Sequence, residues 1–351
     1  MNIELLSGAG LDPAVRDAWY KLQAQSPHLA SPFFSPAWVE CVAAARDDVQ
    51  VAVIEQGGEV HGILPFQKRG LEARPAGGPL CDFQGLIGRV PAGYDLADVL
   101  ARAGIGVWSY DHLLLAKDAA EEGLMLDSPY MDLSDGLNAY AEERRAAGSK
   151  QIRQIQRKLR KLEREVGELR FEWEISDGSA LASLFEWKAS YYARMGTTDR
   201  FAHDWIREVI SNVLSSRESG CYGLLSGLWA GDRLLAVHMG MRSESVFHYW
   251  FPTYDPEYGR YSPGLGLLLE MAGRCCEEGI VRLDLGRGDE RYKSSMASDS
   301  LPIAEGALTA RSIAGRCYAG YAAAREHARH WPILEPIKRL TRGHREEARF
   351  K

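Results

Sequence analysis

Apolar residues fall into short alternating or unbroken blocks in two stretches that share one design. In "VQVAVIEQGGEVHGILPFQ", residues 49–67, two apolar strands meet at Gly57-Gly58, glycines that supply the positive φ a tight hairpin turn needs. "CYGLLSGLWAGDRLLAVHMGM", residues 221–241, repeats the pattern with Gly231-Asp232 at its turn. Aligned turn on turn, Val60 falls opposite Leu234 and Gly62 opposite Ala236. The chain therefore reads as two related units in tandem. Between the hairpins, "DGLNAYAEERRAAGSKQIRQIQRKLRKLEREVG" is helical with a break near Gly148. Ile152, Ile155, Leu159, Leu162 and Val166 form one apolar stripe along it.

Other helices announce their starts. Asp12 before Pro13 and Ser35 before Pro36 have the cap-then-proline order. Later, two helices ("ALASLFEWKASYYARM" and "AHDWIREVISNVLSS") precede the second hairpin. A third strand follows in "SVFHYWFPTYD", then the loop "PEYGRYSPGLG", the helix "LLLEMAGRCCEEG", the strand "IVRLDLG" and one more strand in "LPIAEGALTA". The expected fold class is α/β (α+β), each unit a mixed, mostly antiparallel sheet flanked by helices. The expected division is a first unit at 1–125, a second at 126–330 that includes a basic helix at 149–166, and a basic tail at 331–351.

Composition narrows the class. With 351 residues, 46% of them hydrophobic, 26% charged and a formal charge of −6, the chain is globular and not a general nucleic-acid binder. No basic start followed by an apolar run opens it, and no apolar stretch reaches about 18 residues. A cytoplasmic location is expected, extending to peripheral contact at the inner, anionic face of a membrane. Cys41, Cys81, Cys221, Cys275, Cys276 and Cys317 are scattered, neither a disulfide framework nor a metal set. No HExxH, paired CxxC or G-x-S-x-G occurs, so no metal is expected. The cations Lys150, Arg153, Arg157, Lys158, Arg160, Lys161 and Arg164 fit tRNA, lipid headgroups or a solvated face.

Two stretches carry candidate chemistry. "RYSPGLG", residues 260–266, opens a helix, where free N–H groups and the positive dipole end suit a phosphate. The alternative is that Ser262 caps the helix, Pro263 starts it, and Gly264 and Gly266 only allow close packing. "LDLGRGDERYKSSMA", residues 283–297, runs from a strand into a charged loop.

The order of elements from 221 to 293, with "YSPGLG" and "DLGRG…YK", resembles the GNAT acyltransferase superfamily. Within it the chain is similar to the tandem branch of CelD/BcsL-like proteins related to FemAB. That resemblance implies acyl-CoA as donor, its pyrophosphate held by Arg260, Ser262, Gly264 and Gly266, with Phe251, Thr253 and Arg287 beside it. The usual motif is Q/R-x-x-G-x-G/A, and here one more residue separates Arg260 from Gly264. Strands before and after the central helix would splay and admit the thioester. Asp289 or Glu290, and after them His238 or His248, would take the amine's proton. Tyr292 would meet the departing thiolate and Lys293 would orient a carbonyl or phosphate. Tyr249, Trp250, Tyr254 and Asp284 would wall the acceptor.

The expected function is acyl-CoA-dependent N-acyl transfer to an amine of a cell-envelope precursor, either a lipid or sphingoid-base amine as in bacterial ceramide synthases, or an exopolysaccharide amino sugar. The expected partners are thus a small-molecule donor and acceptor. Two competitors remain: FemAB-like transfer from aminoacyl-tRNA, the one case with a nucleic-acid partner, and a non-catalytic scaffold for envelope polysaccharide synthesis.

Overall fold

The computed structural model describes residues 1–115, 124–288, 290–313, 315–317 and 320. The basic tail at 331–351 lies outside them. The first half runs β1 (Asn2–Ser7), α1 (Pro13–Ala24), α2 (Pro36–Ala45), β2 (Val49–Gln56), β3 (Glu59–Arg69), β4 (Glu72–Pro75), β5 (Ile87–Gly88), α3 (Leu96–Arg102) and β6 (Val107–Leu114). There follow β7 (Leu124–Asp132), α4 (Gly136–Ala146), α5 (Gln151–Val166), β8 (Leu169–Glu172), α6 (Gly178–Met195), α7 (Asp204–Ser215) and β9 (Arg217–Glu218). Last come β10 (Cys221–Ala230), β11 (Arg233–Arg242), β12 (Val246–Tyr254), α8 (Pro263–Glu277), β13 (Arg282–Asp284), α9 (Arg291–Met296) and β14 (Asp299–Thr309).

The strands form one continuous mixed, mostly antiparallel sheet in the order β1-β2-β3-β4-β6-β14-β7-β13-β12-β11-β10-β8, with β5 on β3 and β9 on β10. The late strand β14 pairs with β6 on one side and β7 on the other. It thus stitches the first half to the second. Cores are shared in the same way: Trp38 and Val42 of α2 belong to one cluster with Val209 and Val213 of α7 and with Trp250. A buried side chain of that size contributes about 1.5–3 kcal/mol, so each half stabilises the other's packing.

The two hairpins match in detail. Glu55 pairs with Val60 and Ile54 with Gly62, leaving His61 as an extra residue. Trp229 pairs with Leu234 and Leu228 with Ala236, leaving Leu235 extra. The bulge therefore falls at the same place in both. Gly57 and Gly58 take φ of 65° and 85°, the left-handed values the first turn demands.

A third bulge shapes the site. Met239 pairs with Phe251 and Met241 with His248, so Tyr249 and Trp250 on β12 together face Gly240. A bulge bends its strand and ends pairing. Accordingly β12 pairs in parallel with β13 only through Val246–Arg282, Phe247–Leu283 and His248–Asp284. Beyond His248 the strands part. Gly240 makes room for this, because a Cβ there would lie 2.4 Å from His238 Cε1 and 2.5 Å from the His248 carbonyl oxygen.

Candidate active site

A cavity of ≈770 Å³ opens where β12 leaves β13. From the second half it is lined by Tyr249 to Pro252 of β12, by residues 285–288 after β13, by Glu290, Tyr292 and Lys293, and by Lys188 and Arg200. Pro79, Asp82, Asp111 and His112 line it from the first half, and Glu305 of β14 completes it. Of the residues nominated from sequence, Tyr249, Trp250, Phe251, Arg287, Glu290, Tyr292 and Lys293 meet at this one place. Asp289 falls outside the described residues.

Each nominated side chain has a definite setting. Lys293 is buried, and its Nζ donates to the carbonyls of Gly286 (3.2 Å) and Arg287 (2.9 Å) while pairing with Glu290 at 3.1 Å. Its three donors therefore brace the loop. Arg287 donates to Glu305 (3.0 Å) and to the Asp111 carbonyl (3.2 Å), tying that loop to the first half. Burial pushes the Tyr292 phenol up, with Glu290 adding to the shift, so it keeps its proton. Trp250 donates from its indole to the Leu80 carbonyl at 3.1 Å and meets Trp38 edge to face at 5.5 Å.

The histidines are sealed. His238 is fully buried, its Nε2 accepts from the Trp250 N–H at 3.1 Å, and its ring stacks on Tyr249 at 4.2 Å. Burial holds it well below the usual imidazole range, assisted by the nearby His248 and Lys188. His248 is equally buried. Its Nε2 lies 2.9 Å from Asp82 Oδ2, its Nδ1 has no partner among the described residues, and Phe33 covers its ring at 4.8 Å. Neither imidazole presents a nitrogen to the cavity. The residue His248 serves is Asp82, whose carboxyl burial alone would push up. The His248 hydrogen bond and the charges of His248, His112 and Arg200 hold it below the usual carboxylate range.

Asp284, Thr253 and Tyr254 stand aside from the cavity. The buried Asp284 carboxylate takes the Arg282 guanidinium at 2.9 and 3.3 Å, which marks a structural ion pair at the last paired position of β13. Thr253 is buried on β12, and Tyr254 is exposed.

At the start of α8, Ser262 takes φ 56° and its Oγ accepts from Lys158 Nζ at 2.7 Å. The Leu265 and Gly266 N–H groups both turn back to the Ser262 carbonyl. A Cβ on Gly266 would lie 2.5 Å from Leu159 Cδ2 of α5, and one on Gly264 would lie 3.2 Å from the Tyr254 ring. Close packing against α5 thus requires Gly266, Lys158 flanks the helix start, and Arg260 turns away from it to donate to the Tyr261 hydroxyl at 2.6 Å. Tyr249 links the two places, lining the cavity while its hydroxyl donates to the Gly264 carbonyl at 3.3 Å.

Asp82, Asp111, His112, Lys188, Arg200 and Glu305 were not among the sequence candidates. Lys188 sits on α6, its amine pulled down to about 7 by burial and by the charge of Arg200. The available signal was the run "AGGPLCDFQG" around Asp82, whose glycines and proline hold a chain reversal against β12. Strand-like patterning around Asp111 and His112 offered none.

Residues 149–294 match the family model of the acetyltransferase (GNAT) domain. That segment holds α5, the second hairpin, β12, α8, β13 and most of the cavity's second-half wall. This matched stretch marks the protein as a transferase. Among solved structures, FemX is similar over 87% of this chain and 96% of its own, with 12% identity and a TM-score of 0.56. A conserved protein of unknown function from Bacteroides thetaiotaomicron gives 87%, 100%, 12% and 0.53. The C-terminal domain of a putative lysylphosphatidylglycerol synthetase from Agrobacterium fabrum gives 86%, 94%, 12% and 0.51. At that identity these likenesses show the fold, and they span both halves of the chain. No curated protein matches it. Among the described residues no helix is long and apolar enough to cross a membrane.

Proposed function

We propose that the protein moves an acyl group from a CoA thioester to an amine of a cell-envelope precursor. One observation carries the reading: the bulge at Tyr249–Trp250 parts β12 from β13 after three paired residues and leaves a ≈770 Å³ cavity at the parting. Ligand sites of about 300–1,000 Å³ hold a small molecule or the reactive end of a larger one. Acyl-CoA fits the surroundings. Its diphosphate would meet the N-terminus of α8 beside Lys158, and its thioester arm would pass Tyr249 into the cavity.

The chemistry is direct attack of the amine nitrogen on the thioester carbonyl, without a covalent enzyme intermediate. The carbonyl oxygen gains charge as the C–N bond forms, and main-chain N–H groups freed where β12 loses its partner would stabilise it. The Trp250 N–H is not one of these, being given to His238. Sulfur leaves as thiolate, and the Tyr292 phenol, kept protonated by burial, donates a hydrogen bond to it. Trp250, Phe251, Tyr191 and Tyr192 give one wall an aromatic character, which suits a lipid-like amine over a bare sugar.

A specific observation favours a second donor. Lys150 just before α5 and Arg153, Arg157, Arg160, Lys161 and Arg164 on it are all exposed, away from its buried Ile155, Leu159 and Leu162, a cationic row suited to a nucleic-acid backbone. Incubation with labelled palmitoyl-CoA and, separately, with charged tRNA distinguishes the two. Label transferred to an added amine from palmitoyl-CoA supports the proposal, and transfer from tRNA alone would replace the donor.

A further inference from the structure

The attacking amine must lose a proton, and we infer that the acceptor is His112, carried by the half of the chain that lacks the donor site, with Asp111 and Gln84 as its positioning residues. This rests on the acyl-transfer reading above and names the base for it.

A bulge again makes the geometry. Ala304 of β14 pairs with Leu113 of β6, and Gly306 with Tyr110, so Asp111 and His112 together face Glu305. In a regular strand neighbouring side chains point to opposite faces. The extra residue re-aims them, and both line the cavity. Two bulges on different strands therefore converge on one space, Tyr249–Trp250 from β12 and Asp111–His112 from β6.

The pair is held as a base requires. His112 Nδ1 lies 3.0 Å from Asp111 Oδ1. Gln84, almost fully buried, donates from Nε2 to the same Asp111 oxygen at 2.7 Å and to the Cys81 carbonyl at 3.0 Å. Its Oε1 accepts from the Asp111 and His112 N–H groups at 3.0 and 3.1 Å. One amide thus fixes the Asp111 carboxylate and the backbone of both residues, and Asp111 in turn orients the ring. With the proton on Nδ1 directed at Asp111, the neutral ring turns its Nε2 lone pair outward. Nε2 has no hydrogen-bond partner among the described residues, and the side chain keeps 15% of its exposure. His238 and His248, by contrast, offer no accessible nitrogen.

The step balances. As the amine's C–N bond forms and the C–S bond breaks, the N–H proton passes to His112 Nε2, the sulfur departs as the CoA thiolate, and the imidazolium later releases its proton to water. Charged groups facing His112 come from four places: Asp111 on its own strand, Asp82 on the loop before β5, Arg287 after β13, and Glu305 on β14, which Arg287 neutralises. Burial lowers the imidazole, but the Asp111 hydrogen bond with the charges of Asp82 and Asp111 outweighs it, and the balance is upward. A base must be deprotonated, so the rate should rise with pH through a value above the ordinary imidazole figure of about 6.5.

The test uses the full chain with palmitoyl-CoA and either sphinganine or glucosamine as probe amine. His112→Gln should lower kcat by about 100-fold or more, change KM little, and abolish the acidic limb of the pH profile. Asp111→Asn should cost less and move that limb to lower pH. A limb that survives His112→Gln, or disappears instead in Lys188→Met, overturns the assignment. If the wild-type chain acylates no probe amine, the transfer reading itself is at fault. ¹⁵N spectra of histidine-labelled protein then still decide the dyad. Neutral His112 protonated on Nδ1, with the proton moving to Nε2 in Asp111→Asn, supports it, and Nε2–H in the wild type overturns it.

Discussion

Below the cavity, the Asp82–His248 pair is where single residues matter most. Gly286 lies directly over it with φ 69°, and a Cβ there would come within 3.3 Å of Asp82 Oδ2 and 3.8 Å of the His248 ring. Gly286→Ala combines backbone strain with crowding of a buried pair, and a loss of about 1–3 kcal/mol is expected in urea unfolding. Asp82→Asn tests the electrostatics. Because the folded Asp82 carboxyl sits below its ordinary value, its contribution is fully present above about pH 4 and disappears as pH falls through the depressed value. Asn cannot titrate. The variant should start less stable near neutrality and lose less stability on acidification than the wild type, read from urea midpoints along a pH series.

At the scale of elements, α5 seats on α8 through Leu159 against Gly266. Gly266→Ala places a methyl where Leu159 Cδ2 now lies, with an expected cost of about 1–3 kcal/mol from overpacking. Leu159→Ala should relieve it, so the double variant should lose less than the two single changes combined. Equal additivity would mean that Gly266 is required for something other than packing. Elements of this kind were legible in the sequence: the apolar stripe of α5, the break at Gly148 with φ 87°, and both hairpins with their turns. The bulges were not. An extra residue at Trp250 or His112 leaves an apolar strand pattern unchanged, yet it decides which side chains reach the cavity. Asp111 and His112 were hidden for that reason. Tyr292 and Arg287 were readable as the end of a strand feeding a charged loop, whereas Asp82 joins them through its hydrogen bond to His248 and His112 through the pairing of β14 with β6, contacts between residues far apart in sequence that local periodicity cannot reveal.

For the whole molecule, one continuous sheet runs through both halves. Ile303 of β14 is fully buried in a core shared by both halves, and Arg287 is tied to β14 and to β6. One cooperative unfolding transition is therefore expected, with tryptophan fluorescence and far-UV circular dichroism coinciding in urea. Two separated transitions would show that the halves fold independently. The central claim concerns where a thioester enters. Hydrogen exchange with and without a non-hydrolysable palmitoyl-CoA analogue tests it most directly. Slower exchange at 249–252, 262–266 and 285–293 is the expected result. Tight binding that leaves those three segments unprotected, or no binding of the analogue at all, would contradict it.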